Sequence, residues 1–309
     1  MENSSPTTPP TNWTLRLPRG RSLSLGGRPR VLGILNLTPD SFSDGGLWTD
    51  VPRAVDHALR MLEDGADLLD LGAESTRPGG GVYGAGAETV PAAEEIARLL
   101  PVLEAIRRAT DAPVSVDTRK GEVAEQALAA GADLINDVSA LSDPRLASAV
   151  ANAGCPVVLM HSRGDLSSMQ AGIRFEDVVG EVRSELADVL KKAVAAGIDE
   201  SQVVLDPGIG FGKTWEQNLT LVARLGELAA LGRPLLLGTS RKSFLGKTVE
   251  RLGRALPPPA GRLAGSLATA GWSARTAALL RVHDVAETVQ FLDVWEALLG
   301  LQADSRKTA

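Results

Sequence analysis

The sequence predicts an α/β protein of one domain, a (β/α)8 or TIM barrel whose lower end is closed by an amino-terminal β-hairpin. Three observations carry that expectation. Short apolar runs recur about eight times, and each ends abruptly in a polar segment punctuated by Gly or Pro. The stretches between them carry the 3.6-residue period of amphipathic helices. The chain of 309 residues also accommodates one barrel, which takes about 250 residues.

The elements follow in order. Residues 1–12, MENSSPTTPPTN, are too polar and Pro-rich to bury a core and are expected to form a disordered tail. Residues 13–30 hold WTLRL and SLSL around a Pro-Arg-Gly turn, which reads as a hairpin. Strands are expected at 31–36, 67–72, 113–117, 133–137, 156–160, 203–206, 234–238 and 277–282. In the first helix Val51, Val55, Ala58, Leu59 and Leu62 share a face. Gly65, Gly131, Gly154 and Gly197 mark helix ends shortly before the next strand. The prolines at 257–259 read as an insertion before a helix, so one domain spans 13–301 and residues 302–309 form a solvated tail.

Composition excludes several classes. A net charge of −6 and a pI near 5.3 argue against a general nucleic-acid binder, for which a pI above about 9 is expected. Cys155 has no partner for a disulfide and reads as an inert packed thiol. No apolar run approaches the roughly 18 residues of a membrane span, and no signal pattern opens the chain. A cytoplasmic protein is expected.

In a parallel barrel the loops leaving the carboxyl ends of the strands converge on one mouth. Asp70, Asp117 and Asp206, with Asn36 and Asn136, fall at those ends. Carboxylates and amides there suit the parallel N–H donors of a flat, amidine-edged heterocycle, and equally suit a metal. Spacing cannot separate the two, since each acid comes from a different strand. Arg77, Lys213, Arg241, Lys242 and Arg281 at the same mouth oppose the overall acidity and imply an anionic substrate, a phosphate or diphosphate.

Other features have blander readings. GIGFGKT at 208–214 fails the phosphate-binding pattern G-x-x-x-x-G-K-[ST], because position 207 is Pro. His57 lies mid-helix as a surface or packing residue, His161 follows the fifth strand, and His283 ends the last strand, where it can donate to phosphate oxygens. Asp70 is read either as part of the mouth or as only tying neighbouring loops, Asp137 and Asp284 as orienting or capping groups, and Lys213 as a charge that supports the site or a helix end.

Seven blocks now stand in order: NLTPDSFSDGG at 36–46, ESTRPG at 74–79, VDTRK at 116–120, IND at 135–137, LDPGIGFGK at 205–213, SRKSFLG at 240–246 and RVHD at 281–284. Together they resemble the dihydropteroate synthase family over residues 31–300. The resemblance implies a pterin-binding barrel that joins 4-aminobenzoate to (7,8-dihydropterin-6-yl)methyl diphosphate, with Mg2+ required and a homodimer common.

The same resemblance implies that Asp117, Asn136 and Asp206 bind the pterin's polar edges, that Lys242 reaches its carbonyl and ring nitrogen, and that Arg281 stacks on the ring. Asn36 corresponds to the magnesium ligand. Thr76, Arg77, Arg281 and His283 correspond to diphosphate contacts, and Phe42, Pro78 and Ser243 to the 4-aminobenzoate pocket. Arg77, Lys242, Arg281 and His283 form the expected catalytic set. Two loops, around Asp40, Phe42 and Ser43 and around Arg77 and Pro78, are expected to close over the diphosphate. Ala73 stands where the family usually has a second glycine, and MHSRG at 160–164 departs from its usual Met-His-Met block. A pterin-dependent methyltransferase would share the acids but not the anion contacts of ESTRPG and RVHD. A noncatalytic pterin-binding paralogue would show eroded loops, whereas NLTPDSFSDGG is complete.

Overall fold

The computed structural model describes residues 12–38, 50–75, 89–164, 169 and 172–307. The expectations placed on Asp40, Phe42, Ser43, Thr76, Arg77, Pro78 and residues 1–11 lie outside the described residues. The elements run β1 (Trp13–Arg16), β2 (Ser22–Leu25), β3 (Arg30–Asn36), α1 (Val51–Glu63), β4 (Leu68–Gly72), α2 (Ala92–Ala109), β5 (Val114–Asp117) and α3 (Gly121–Ala129). They continue through β6 (Leu134–Asp137), α4 (Pro144–Ala153), β7 (Val157–Met160), α5 (Val178–Ala195), β8 (Val203–Asp206), α6 (Trp215–Ala223) and α7 (Gly226–Ala229). The last are β9 (Leu236–Leu237), α8 (Ser243–Arg251), α9 (Leu263–Ser273), β10 (Leu279–Val282) and α10 (Val285–Lys307).

Eight parallel strands, in the order β8-β7-β6-β5-β4-β3-β10-β9, form the barrel wall. The seam closes where Leu205 bridges Leu235 in parallel and its N–H donates to the Pro234 carbonyl at 3.0 Å. Alternation divides each strand's side chains between two environments. Val31, Leu35, Leu69, Leu71, Val114, Val116, Ile135, Leu205 and Leu280 pack outward in the main core with the helices, while Leu32, Leu68, Leu134, Val158, Val204, Leu236 and Leu279 pack together inside the barrel.

The hairpin is the lower plug. β1 and β2 pair antiparallel, Leu15 opposite Leu23, and Leu15, Leu17, Leu23 and Leu25 join the inner cluster of strand residues. Four buried leucines at about 1.5–3 kcal/mol each make this closure a substantial share of the lower core. Arg19 and Arg21 lock it in place by pairing with Asp133, which is fully buried and also accepts the Val114 N–H at 2.9 Å.

The helices start and stop for local reasons. Asp50 caps α1 through the Arg53 N–H, Asp143 caps α4 through the Arg145 N–H, and Gly154 ends α4 with φ +59°. Two expectations are corrected. The buried face of α1 is centred on Ala54, Ala58 and Met61, with Val51, Val55 and Leu62 flanking it; the small alanines let the helix lie close to the sheet. Residues 302–307 of the expected carboxyl-terminal tail are helical rather than irregular, continuing α10, because nothing after Gly300 breaks the helix.

Candidate active site

Period-2 alternation determines what the mouth contains. Directly above the inner Leu68, Leu134, Val204 and Leu279 come, two residues on, Asp70, Asn136, Asp206 and Arg281. Register sets them side by side: Gly72 pairs with Asp117, Asp117 with Asn136, and Met160 with Asp206. Gly72 lies against the Asp117 side chain, where a Cβ would make an ordinary contact at 3.5 Å.

Arg281 is the hub. Its Nε donates to Asp70 Oδ2 at 2.5 Å and its Nη2 to Asp117 Oδ2 at 2.8 Å, while Asn136 Nδ2 also donates to Asp70 Oδ2 at 3.2 Å. The second oxygens, Asp70 Oδ1 and Asp117 Oδ1, are buried with no hydrogen-bond partner among the described residues. An unsatisfied buried acceptor costs about 1–3 kcal/mol, so these two oxygens favour a ligand bearing N–H donors. Burial pushes Asp117 up to about 7, against the pull of Arg281. Burial likewise raises Asp206, against Lys242.

The β8–α6 turn forms one wall. Asp206 Oδ1 accepts the Gly208 N–H at 2.7 Å. Gly208 has φ +67°, and a Cβ there would lie 1.8 Å from the His161 carbonyl oxygen, so no other residue fits. Lys242 Nζ donates to the Ile209 carbonyl and lies 4.9 Å from the centre of the Phe211 ring. Burial brings Lys242 down to about 8, opposed by Asp206.

Lys242 takes the cap position of α8 without a side-chain cap bond, and Ser243 is that helix's first residue. An anion at Ser243 meets the positive end of the helix. The turn ahead of it is strained: Arg241 has φ +57°, and is held by Ser266 Oγ on its N–H, by Arg262 on its carbonyl and by Asp284 on its guanidinium. Arg241, read from sequence as a mouth cation, therefore spends its charge on Asp284. Its role is to hold the turn that presents Lys242.

His283 stands opposite. Its N–H donates to Ser240 Oγ at 3.1 Å, and its Nδ1 lies 3.1 Å from the same oxygen. The Ser240 hydroxyl keeps one proton and a second lone pair, so it donates to Nδ1 when the ring proton is on Nε2 and accepts from Nδ1–H in the other tautomer. Burial lowers His283 to about 4, so the ring is neutral at pH 7.

The structure thus brings Asp117, Asn136, Asp206, Lys242, Ser243, Arg281 and His283 to one mouth, with exposed Asn36 at the end of β3, paired in register with Gly72. Asp70, for which the sequence left a place in the site and a tie between loops equally open, is fully buried and bonded to Arg281 and Asn136; its parity with Leu68 and Gly72 was the available signal. Lys213, placed by the sequence among the mouth cations and as a supporting charge, is 3% exposed, with its Nζ on His161 Nδ1. Asp137 does orient its neighbours, accepting from Ser139 and Leu141 across a turn in which Ala140 and Leu141 both have positive φ. Cys155 is buried, and burial raises its thiol to about 12, which makes it unreactive.

For magnesium the donor set is compatible but sparse. Among the described residues no group of three His, Cys, Asp or Glu could enclose a metal ion. Mg2+ commonly takes one or two protein oxygens and completes its shell with substrate phosphates and water. The single exposed amide of Asn36 fits that mode.

A parallel barrel whose mouth gathers buried acids, an amide, an ammonium and a guanidinium is a pterin-binding enzyme in class, and the pterin binding enzyme family model matches residues 32–283. Relatives narrow this further. The chain is 44% identical over 285 residues to a dihydropteroate synthase of Synechocystis, covering 91% of this chain and 94% of the relative. It is 43% identical over 289 residues to that of Escherichia coli, covering 93% and 98%. Among solved structures, dihydropteroate synthase of Xanthomonas albilineans with 4-aminobenzoic acid superposes with a TM-score of 0.83 at 48% identity, covering 94% of this chain and 99% of that one. The same enzyme in complex with 7,8-dihydropteroate gives 0.80 at 46% identity, covering 93% and 98%. The chain belongs to the dihydropteroate synthase family. Among the described residues, no helix is long and apolar enough to cross a membrane.

Proposed function

We propose that the protein condenses (7,8-dihydropterin-6-yl)methyl diphosphate with 4-aminobenzoate, giving 7,8-dihydropteroate and diphosphate. The carrying observation is the pair of buried, unpartnered oxygens on Asp70 and Asp117 beside Arg281. Acceptors of that kind match the N–H edge of a dihydropterin. Asp117, Asn136 and Asp206 orient the bicycle, Lys242 donates to its carbonyl and ring nitrogen, and Arg281 covers its face.

The reaction breaks the methylene carbon–oxygen bond and forms a carbon–nitrogen bond to the arylamine, which then releases one proton. Positive charge on the methylene is spread by the electron-rich ring, and negative charge leaves on diphosphate. Catalysis is then chiefly electrostatic stabilisation of separating charges. Arg281 and His283, the latter as the tautomer with its proton on Nε2, hold the leaving group, with Arg77 and Thr76 assigned to the same task. Asn36 is the protein ligand for Mg2+, which when bound neutralises diphosphate charge. Ser243, at the start of α8, holds the 4-aminobenzoate carboxylate, and Phe42 and Pro78 complete that pocket. The arylamine is nucleophilic without a strong base.

The protein acts in the cytoplasm as a homodimer in this reading. Trp272 on α9 and Val294, Leu298 and Leu301 on α10 are large apolar residues more than half exposed, which supports a subunit interface among the carboxyl-terminal helices; light scattering at micromolar concentration tests it. The function is tested by diphosphate release with each substrate alone and with both, with and without Mg2+. Release only when both are present with Mg2+ supports the proposal, and no release under any condition ends it. Arg77→Ala should abolish most turnover while pterin binding stays measurable.

A further inference from the structure

We propose that Lys213 is a positioning residue of the pterin pocket, a buried ammonium that holds the 207–212 turn in its binding shape and is itself held by His161 and Glu185. This rests on the reading of the mouth as a pterin site. Burial lowers Lys213 to about 7 against the pull of Asp206; as the ammonium it has three N–H donors, and three acceptors stand around its Nζ, His161 Nδ1 at 2.9 Å, the Gly208 carbonyl at 3.1 Å and the Phe211 carbonyl at 2.9 Å. With its donors so committed and its side chain 3% exposed, Lys213 has nothing left to offer a substrate.

What it holds is the pocket wall. Gly208 is gripped from both sides, its N–H by Asp206 and its carbonyl by Lys213. One residue on, the Ile209 carbonyl receives Lys242. Phe211, whose carbonyl Lys213 also takes, packs its ring with Val138, Met160 and Met169 and lies under the Lys242 ammonium. Asp206 and Lys242 therefore both bond to the short turn that carries Phe211, and Lys213 ties the Gly208 and Phe211 carbonyls of that turn together. Asn218 on α6 adds a second clasp, accepting the Gly210 N–H at 2.6 Å and donating to the Lys213 carbonyl at 3.3 Å.

The support behind Lys213 runs outward in a defined direction. Because Lys213 donates to Nδ1, the imidazole proton of His161 lies on Nε2 and goes to Glu185 Oε2 at 2.9 Å. Arg163 holds that carboxylate through Nε at 3.0 Å and stacks on Phe175 at 3.9 Å. His161 lies on the strand β7 side and Glu185 on α5, so the clasp ties the pocket turn to two other parts of the barrel.

A merely structural lysine and a positioning lysine differ in what their loss does. Removing one partner of a buried hydrogen-bonded charge leaves its acceptors unsatisfied and costs stability in either case, so the substrate that suffers is the discriminating readout. Lys213→Met should lower the thermal midpoint and weaken binding of 6-hydroxymethyl-7,8-dihydropterin, measured by calorimetry on the folded protein, about tenfold or more, the worth of charged hydrogen bonds lost. The KM for 4-aminobenzoate at saturating pterin diphosphate should stay within about twofold. Wild-type pterin affinity in Lys213→Met, or equal loss of both substrates, would overturn the proposal. If Lys213→Met does not fold, His161→Asn and His161→Phe carry the test. Asn can still accept from Lys213 and should bind pterin at least about threefold more tightly than Phe does; equal affinities reject the role. Failure of the wild-type protein to bind the pterin would instead defeat the reading of the site, leaving the two outcomes distinct.

Discussion

The lower and upper halves of the barrel interior are built from the same strands, only two residues apart, and they do opposite things. The lower layer of Leu68, Leu134, Val204 and Leu279 is dry, sealed by the hairpin leucines, and has no polar partner to satisfy. The layer above, buried Asp70, Asn136 and Asp206 with half-buried Arg281 among them and buried Asp117 beside them, is charged or polar, and one oxygen each of Asp70 and Asp117 lacks a partner among the described residues. One step of the β pleat, about 6.6 Å along the strand, thus separates packing from chemistry. Stability sits at the bottom and unspent electrostatic energy at the top.

The sharpest way to break that division is at Arg281, which serves both. Arg281→Met should lower kcat/KM about a thousandfold, as expected for loss of a donor to developing charge. It should also cost about 3–5 kcal/mol in urea unfolding, because Asp70 and Asp117 are left as unpaired buried acids. Adding Asp70→Asn should return part of the stability and none of the activity. A stable Arg281→Met protein would show that the two carboxylates do not depend on the guanidinium.

Leu134→Ala probes the other layer. It should cost about 2–5 kcal/mol of stability, with kcat/KM at low temperature within about threefold of wild type. Selective loss of pterin affinity in this variant would erase the distinction between the layers.

Smaller effects come from titration. Lys242 must carry its proton to donate, and burial has lowered it to about 8, so kcat/KM for the pterin substrate should fall about tenfold per pH unit well above 8. Lys242→Arg should lose that alkaline limb even though its rate is lower.

His161 gives a signal in stability alone. Burial lowers it from 6.5 to about 4, so between those values the unfolded chain binds a proton that the native chain does not. The stability is full above 6.5 and is lost as pH falls toward 4, at a limiting slope of about 1.4 kcal/mol per unit. His161→Gln should remove that part of the slope in urea titrations across pH 4 to 7. An unchanged slope would place its native titration near the ordinary value.

Much of this was legible in one dimension. Strand ends were readable to within two residues, because an apolar run that stops at a polar or Gly-rich segment marks its own boundary; only β9, Leu236–Leu237, is much shorter than the run at 234–238. The mouth could be anticipated because parallel strands deliver all their carboxyl ends to one side. Partnerships were not legible. Arg241 and Arg281 look alike as strand-end arginines, yet one is neutralised by Asp284 and the other lies between Asp70 and Asp117. Lys213 sits in a Gly-rich run that suggests an exposed loop, and its burial depends on His161, 52 residues earlier.

By itself the sequence determined the alternation of strands and helices, the barrel and the residues that reach the mouth, which follow from local periodicity and strand polarity, and the family, which its motif blocks carry. Only the tertiary structure decided which charges are spent on one another and which remain for a ligand. The reason is physical: hydrophobic patterning is written along the chain at short range, whereas the state of a buried charge depends on groups a few ångströms away in space that the sequence places tens to hundreds of residues apart.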